Sequence, residues 1–262
     1  MKKFGVLIIC MLLTPFILTT TATAQDALDA AIKRGKLIVS TELSAAPWNY
    51  RDPKSGEAVG FVIDMMTKYT KSIGIELQVN NIDWVGVVPS LMSGKVDMLP
   101  WISRTMPRST KFMFSDAYKN VPAQLIIRKG EFKSLDEINN KDVVISASSG
   151  AVWLEVAEKK FPKAKVRAVG SNADNGIALD TKRADAYLND ETQLMATMEQ
   201  YPGKFEILPD PVSLDSLGAA FRFDSPKLLA SFNLFLDRLK SDGTYKQLHK
   251  KWFGYDPKPG TY

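Results

Sequence analysis

Short apolar runs of the β type alternate with amphipathic helical patterns along most of this chain. The run Leu37–Thr41 is followed by the helical pattern Phe61–Ile73 and then by the run Ile75–Val79, and similar alternation continues to about residue 200. Units of this kind bury the apolar face of each helix against a sheet, and a helix connects one strand to the next. The pattern therefore predicts an α/β fold with mostly parallel sheets.

Two strand-like runs interrupt this alternation, Ala123–Arg128 and Leu217–Phe223. Because a domain commonly has about 100–200 residues, the chain is long enough for two small domains. We interpret the two runs as crossover strands, by which the chain leaves one lobe and later returns to it. The predicted division is residues 25–126 for the first part of lobe 1, 127–218 for lobe 2 and 219–262 for the return segment.

The first 24 residues differ from the rest of the chain. Lys2 and Lys3 precede an apolar stretch at 4–18, and the small residues at 22–24 follow it. This is the pattern of a secretory signal peptide, residues 1–24, with cleavage after the last of them. The alternative is a membrane anchor, but the stretch contains Pro15 and is shorter than the roughly 20 residues that span a bilayer. We therefore expect an exported protein.

The composition argues against several classes of function. The chain has one His and one Cys, which is too few for His-based triads and for zinc clusters. Its 34 basic and 29 acidic residues give a formal net charge of +5, which is too small to indicate a nucleic-acid partner. We expect no metal, no cofactor and no nucleic acid.

A series of short motifs follows in order along the chain. They are Ala46-Pro47-Trp48, the segment 59–64, Asp83-Trp84, the segment 93–97, the segment 105–118 with Arg108, the segment 134–138 and the segment 241–245. Through them the chain resembles the family 3 extracellular solute-binding proteins of bacteria, the polar amino-acid receptors of ABC importers. The resemblance implies a periplasmic binding protein type II fold, in which two α/β lobes are joined by two crossover strands. It also implies a periplasmic monomer that captures a small-molecule ligand, an amino acid, and delivers it to an inner-membrane ABC permease.

An amino-acid site needs a cation for the carboxylate of the ligand and an anion for its ammonium group. Arg108 matches the family's carboxylate-binding arginine, and the alternative is a surface arginine beside Arg104. Ser103 matches a position that assists the carboxylate. Asp190 matches the family's ammonium-binding aspartate, although it is also placed to cap the predicted helix that follows it.

The resemblance places four further residues around the ligand. Ser149 and Gly150 precede a predicted helix at Ala151–Phe161, whose N-terminal N–H groups are expected to face the anionic end of the ligand. The alternative is that Ser149 simply caps this helix. Trp84 matches the position that stacks over the ligand's side chain, although a tryptophan there could equally belong to the core. Glu42 matches a position at the side-chain end of the pocket, and the alternative is a solvated carboxylate.

Trp48 and Trp101 complete the predicted pocket, and the alternative for Trp48 is a place in the core. Aromatic faces and the acid Glu42 favour cationic or large neutral polar amino acids over acidic ones. The pair Pro100-Trp101 stands where the family usually has two small residues. This departure leaves open a ligand that differs from an ordinary polar amino acid.

A second function stays open at this point, because some relatives of this family resemble cyclohexadienyl dehydratases, which eliminate water from prephenate or arogenate. Such an enzyme needs a general acid in the cleft, and Asp190 or Glu191 is the candidate. Nothing in the sequence positively marks catalysis. We therefore predict a binding protein that is not an enzyme.

Overall fold

The computed structural model describes residues 25–257. The predicted signal peptide and residues 258–262 of the predicted return segment lie outside the described residues. Within 25–257, no helix is long and apolar enough to cross a membrane.

The described residues form helices and strands in an order close to the predicted one. The helices are α1 (Ala27–Arg34), α2 (Phe61–Ser72), α3 (Trp84–Met92), α4 (Met106–Ser109), α5 (Leu135–Ile138), α6 (Trp153–Lys160), α7 (Asn172–Asp180), α8 (Glu191–Gln200), α9 (Pro226–Ser241) and α10 (Thr244–Phe253). The strands are β1 (Lys36–Thr41), β2 (Ser44–Ala45), β3 (Asn49–Arg51), β4 (Ala58–Val59), β5 (Glu76–Asn81), β6 (Met98–Ser103), β7 (Met113–Phe114), β8 (Lys119–Arg128), β9 (Val144–Ser148), β10 (Lys165–Val169), β11 (Ala186–Asp190), β12 (Phe205–Ile207) and β13 (Ser213–Phe221).

A central sheet runs through the whole described structure. Its strand order is β10-β9-β11-β8-β13-β6-β1-β5, with β12 beside β8 and β7 beside β13. The two central strands are β8 and β13, which pair antiparallel with Ala123 opposite Ser213 and Lys119 opposite Leu217. They are the two crossover strands, and each connects the sheet of one lobe to the sheet of the other.

The expectation of mostly parallel sheets is wrong at the centre of the molecule. β1 is parallel to β5 and β6, and β9 is parallel to β10 and β11, as strands connected through helices require. The central strands instead run antiparallel to each other, and they are also antiparallel to β6 and β11. The chain crosses from lobe 1 to lobe 2 along β8 and returns to lobe 1 along β13, so these two neighbouring strands run in opposite directions.

Each lobe has its own large hydrophobic core, and the crossover strands contribute to both. Along β8, Val121 belongs to the core that contains α2 and α9, whereas Ala123 belongs to the core that contains α6. On the return path, Val212 packs in the α6 core and Leu217 packs in the α2 core. The predicted fold of two α/β lobes with two crossover strands is therefore confirmed. The predicted boundaries at 126 and 218 lie slightly further along the chain and stay a prediction.

Both crossover strands begin earlier than the apolar pattern indicates. β8 starts at Lys119 and β13 starts at Ser213, because backbone pairing continues through polar residues that the pattern excludes. Two of these polar residues are almost fully buried, with Lys119 5% and Asp215 8% exposed. Charged side chains in that position need partners, and both have one: Lys119 lies beside His249, and Asp215 accepts from Ser103.

Candidate functional site

Arg108 lies in the short helix α4 of lobe 1 and extends toward lobe 2. Its guanidinium group donates from Nη1 to the carbonyl of Ser103 and from Nη2 to the carbonyl of Gly150, each at 3.2 Å. Burial lowers the pKa of Arg108, and the nearby carboxylate of Asp215 opposes that shift. Arg108 is half-buried and Arg104 is exposed, so the two neighbouring arginines have different surroundings.

Ser103 ends β6, and its side chain is held by the second crossover strand. The Ser103 hydroxyl donates to Oδ2 of Asp215 at 2.7 Å. Burial raises the pKa of Asp215 to about 6, the hydrogen bond from Ser103 lowers it, the charge of Asp190 raises it, and the charge of Arg108 lowers it. Because Asp215 responds to both Asp190 and Arg108, the three charged groups belong to one region of the structure.

No motif in the sequence marks Asp215 as a site residue. It lies in the part of β13 that precedes the apolar run, and the apolar pattern assigns no strand there. A single carboxylate just before a predicted strand is a weak signal, since such residues usually lie in exposed turns.

Asp190 ends β11 and caps the N-terminus of α8. Its Oδ1 accepts from the backbone N–H of Gln193 at 3.1 Å and from the hydroxyl of Thr192. The predicted capping role is therefore confirmed, while contact with a ligand stays a prediction. Asp190 is 4% exposed. Burial raises its pKa, and the hydrogen bonds from Thr192, Gln193 and Trp48 lower it.

The first turn of α8 contacts the opposite lobe directly. The indole Nε1 of Trp48 donates to Oγ1 of Thr192 at 2.5 Å. Beside it, Nε2 of Gln193 donates to the carbonyl of Ala46 at 3.2 Å. Trp48 is fully buried and packs edge-on against Phe61, so its ring belongs to the core of lobe 1. Direct contact between Trp48 and a ligand stays a prediction.

Three tryptophan rings extend from this core toward lobe 2. Trp48 stacks on Trp101 with ring centroids 5.8 Å apart and an interplanar angle of 17°, and Trp101 lies 5.6 Å from Trp84. The buried Nε1 of Trp101 has no hydrogen-bond partner within residues 25–257. Trp84 reaches the opposite lobe, because a Cβ placed on Gly150 would lie 4.0 Å from Cδ1 of Trp84.

These residues lie along the cleft between the lobes. Hydrogen bonds and ring contacts connect Asp215, Ser103, Arg108 and Gly150 on one side, and Trp84, Trp101, Trp48, Thr192 and Asp190 on the other. The first group carries opposite charges, and the second joins three aromatic faces to the carboxylate of Asp190. Such a composition suits a small molecule with charged groups at one end and an extended side chain at the other.

The loop around Ser149 and Gly150 differs from the prediction. Helix α6 begins at Trp153, and Val152 at its N-cap position makes no side-chain capping bond. The predicted helix start at Ala151 and the alternative of a cap by Ser149 are therefore both wrong. Gly150 has a φ of +77°, which turns the chain before the helix begins. The N–H of Ser149 donates to Val169 of the same lobe at 2.7 Å, and Gly150 offers Arg108 a carbonyl.

Glu42 follows β1 at the outer end of the tryptophan row. Burial raises the pKa of Glu42, the hydrogen bond from Ser44 lowers it, the charge of Asp83 raises it, and the backbone N–H of Trp84 lowers it. Glu42 is thus half-buried beside the backbone of Trp84, and it is not a freely solvated carboxylate.

Lys119 is a second charged residue of this region that no sequence motif marks. Its Nζ lies 2.6 Å from Nε2 of His249 and 4.1 Å from the ring centroid of Phe253. Burial lowers the pKa of Lys119 to about 8, while the charges of Asp190 and Glu191 oppose the shift. Lys119 therefore places a buried positive charge behind Asp190, on the crossover strand.

Two α/β lobes, two crossover strands and a charged cleft between the lobes define a solute-binding protein. The sequence profile described as bacterial extracellular solute-binding proteins, family 3, matches residues 37–255. This chain belongs to that family.

Known relatives match over nearly their whole length. A probable amino-acid ABC transporter-binding protein of Haemophilus influenzae is 28% identical over 243 residues, which cover 91% of this chain and 92% of that protein. The lysine/arginine/ornithine-binding periplasmic protein of Escherichia coli is 29% identical over 251 residues, 91% of this chain and 94% of that protein. The crystal structure of the ancestral amino acid-binding protein AncCDT-1, a precursor of cyclohexadienyl dehydratase, is 31% identical with a TM-score of 0.80, and the match covers 87% of this chain and all of that one (100%).

Proposed function

We propose that this protein captures an amino acid between its two lobes in the periplasm and delivers it, as a monomer, to an ABC permease. The family assignment supports the class of function. The relatives from Haemophilus influenzae and Escherichia coli are described as amino-acid-binding or as binding lysine, arginine and ornithine, which supports the ligand class.

The observation that carries the proposal is the position of two opposite charges on different lobes of one cleft. Arg108 of lobe 1 reaches the backbone of lobe 2 at Gly150, and Asp190 of lobe 2 is linked through Thr192 to lobe 1. An α-amino acid presents a carboxylate and an ammonium group on one carbon atom. We infer that Arg108 binds the first and Asp190 binds the second, with lobe closure bringing the two together.

The side-chain end of the pocket favours a positive or a large polar group. Trp84 offers a ring face, and Glu42 lies half-buried beside it. Cations bind to the faces of tryptophan rings, and a partly desolvated carboxylate strengthens that preference. We therefore propose that cationic or large neutral polar amino acids bind more tightly than glutamate or aspartate.

A binding role without catalysis is the simpler account of the site. Asp190, a candidate for the acid of a dehydratase, is already held by the helix that it caps and by Thr192. The solved neighbour with a dehydratase in its lineage is itself described as an amino-acid-binding protein.

The direct test is to identify the molecule that the protein carries. We would purify the protein from the bacterial periplasm without refolding, denature it, and analyse the released small molecules by mass spectrometry. Calorimetry with the twenty amino acids would follow. The proposal predicts a co-purified amino acid and micromolar or tighter binding of it, and a carried molecule that lacks either the carboxylate or the ammonium group would contradict the proposal.

A further inference from the structure

Thr192 occupies an unusual place between the lobes. Its single hydroxyl accepts a hydrogen bond from Nε1 of Trp48, in lobe 1, and donates one to Oδ1 of Asp190, in its own lobe. Trp48 and Thr192 are separated by 144 residues in the chain. A threonine in the first turn of a helix needs neither of these partners for the helix to form.

The chemistry of the hydroxyl group fixes which groups donate and which accept in the chain from Trp48 through Thr192 to Asp190. A threonine hydroxyl has one proton and two lone pairs. Once Trp48 donates to a lone pair, the proton points toward another acceptor, and Asp190 is that acceptor. Hydrogen bonds in such a chain polarise one another, so the bond from Trp48 strengthens the bond that reaches the carboxylate.

The donor at the start of the chain is fixed in place. Trp48 is fully buried, stacked on Trp101 and packed against Phe61, so its N–H has little freedom to turn elsewhere. Gln193, the next residue after Thr192, contacts Ala46 of the same lobe 1 segment. The first turn of α8 therefore meets a rigid edge of lobe 1 when the lobes close.

We propose that Thr192 is a positioning residue that couples lobe closure to the ammonium-binding carboxylate of Asp190. Separation of the lobes removes the Trp48 donor, and contact between them restores it. The hydroxyl then holds Oδ1, which also caps α8, and leaves the other oxygen of Asp190 to the ligand. This inference rests on the proposed amino-acid function and identifies a residue that strengthens that site only in the closed arrangement.

The test compares Thr192→Val, which keeps the shape of the side chain, with Thr192→Ser, which keeps the hydroxyl. Thr197→Val is the matched control, because its hydroxyl donates within α8, to the carbonyl of Gln193 at 3.0 Å. Thr192→Val removes the hydroxyl acceptor of the buried Trp48 N–H and a hydrogen-bond donor to Asp190, so we expect about a 10-fold or greater loss of affinity for the tightest-binding amino acid. Thr192→Ser and Thr197→Val should bind within about 3-fold of the parent.

The pH profile separates positioning from a general structural effect. The Thr192 hydrogen bond lowers the pKa of Asp190, so loss of this bond should raise that pKa. The decrease in affinity on acidification should then begin at a higher pH in Thr192→Val, and only in that variant. The other charged or titratable groups near Asp190 are Lys119, Tyr187, Glu191 and Asp215, and they are the same in every variant. The Trp48 indole N–H signal, assigned by its loss in Trp48→Phe, should also shift in Thr192→Val when both proteins are saturated with the tightest-binding amino acid.

Failure of the inference and failure of the proposed function give different results. If the parent binds no amino acid, the proposed function is wrong, and the inference falls with it. If the parent binds but Thr192→Val has the same affinity and pH profile, the inference alone is overturned. An affinity loss in Thr192→Val that is equal at every pH, or that Thr192→Ser shares, would likewise overturn it.

Discussion

The hydroxyl of Ser103 donates its proton to Oδ2 of Asp215 at 2.7 Å, so a residue predicted to assist the carboxylate of the ligand is already bonded to a carboxylate of the protein. A hydroxyl has only one proton to donate. Ser103 can therefore contribute its backbone and its lone pairs to the cleft while Asp215 is ionised. Arg108, whose guanidinium group has five N–H donors, becomes the principal donor for an anionic ligand group.

Asp215→Asn should stabilise the protein at neutral pH. An unfolded aspartate has a pKa of roughly 3.9, whereas burial raises the pKa of Asp215 in the folded protein to about 6. Between these values the folded state binds more protons than the unfolded state, so stability falls as the pH rises through that window. We expect asparagine to add about 1–3 kcal/mol at pH 7.5 and almost nothing at pH 4.

Urea unfolding at the two pH values measures this effect, and Asp210→Asn is the control. Asp210 is exposed and precedes β13, so its substitution should change the free energy of unfolding by less than about 0.5 kcal/mol. An Asp215→Asn variant that is equally or less stable than the parent at pH 7.5 would show that the buried carboxylate is not a destabilising charge.

Arg108→Met should weaken amino-acid binding by about 30-fold or more, because it removes a charge-assisted contact inside a closed cleft. Arg104→Met provides the control, since that arginine is exposed and its guanidinium group donates to the hydroxyl of Ser216, at 3.4 Å. Calorimetry of both variants measures the difference. Equal affinities in the two variants would mean that Arg108 is not the carboxylate clamp.

Asp190→Asn should separate the two roles of that residue. Asparagine still caps a helix, so we expect the free energy of unfolding to change little while affinity for the amino acid falls about 30-fold. Ser171→Ala is the converse control, because Ser171 caps α7 by accepting from the N–H of Asp174. It should lower stability by about 1 kcal/mol with affinity preserved. Unchanged affinity in Asp190→Asn would reduce that residue to a helix cap.

Trp84→Ala should weaken binding of a cationic amino acid by about 3- to 30-fold, through loss of a ring face worth roughly 0.5–2 kcal/mol. The control is Trp252→Ala, whose indole lies on lobe 1 and donates to Asp64 at 2.8 Å. A calorimetric panel of amino acids provides the measurement. Tighter binding of glutamate than of arginine, lysine or glutamine by the parent protein would reverse the proposed ranking.

Local features of this fold are predictable from the sequence, and contacts between the lobes are not. The helix after Asp190 and its cap follow from one polar residue and the periodic pattern after it, and α8 begins at Glu191 with Asp190 as its N-cap. The helix Ala27–Arg34 is absent from the prediction. The contact between Trp48 and Thr192 joins distant parts of the chain, and no local pattern reports on such a pair. Asp215 is missed because hydrogen-bonded pairing extends β13 beyond its apolar residues.

The most direct test of the two-charge clamp uses analogues of the tightest-binding amino acid that each lack one charge. Calorimetry would compare the parent, Arg108→Met and Asp190→Asn with the amino acid, with its decarboxylated amine and with its deaminated acid. The clamp predicts that Arg108→Met weakens binding of the amino acid about 30-fold but leaves binding of the amine nearly unaffected. Asp190→Asn should likewise weaken binding of the amino acid about 30-fold but leave binding of the deaminated acid nearly unaffected. If each variant weakens both analogues equally, or leaves the amino acid unaffected, the opposite charges of the two lobes do not recognise the ligand.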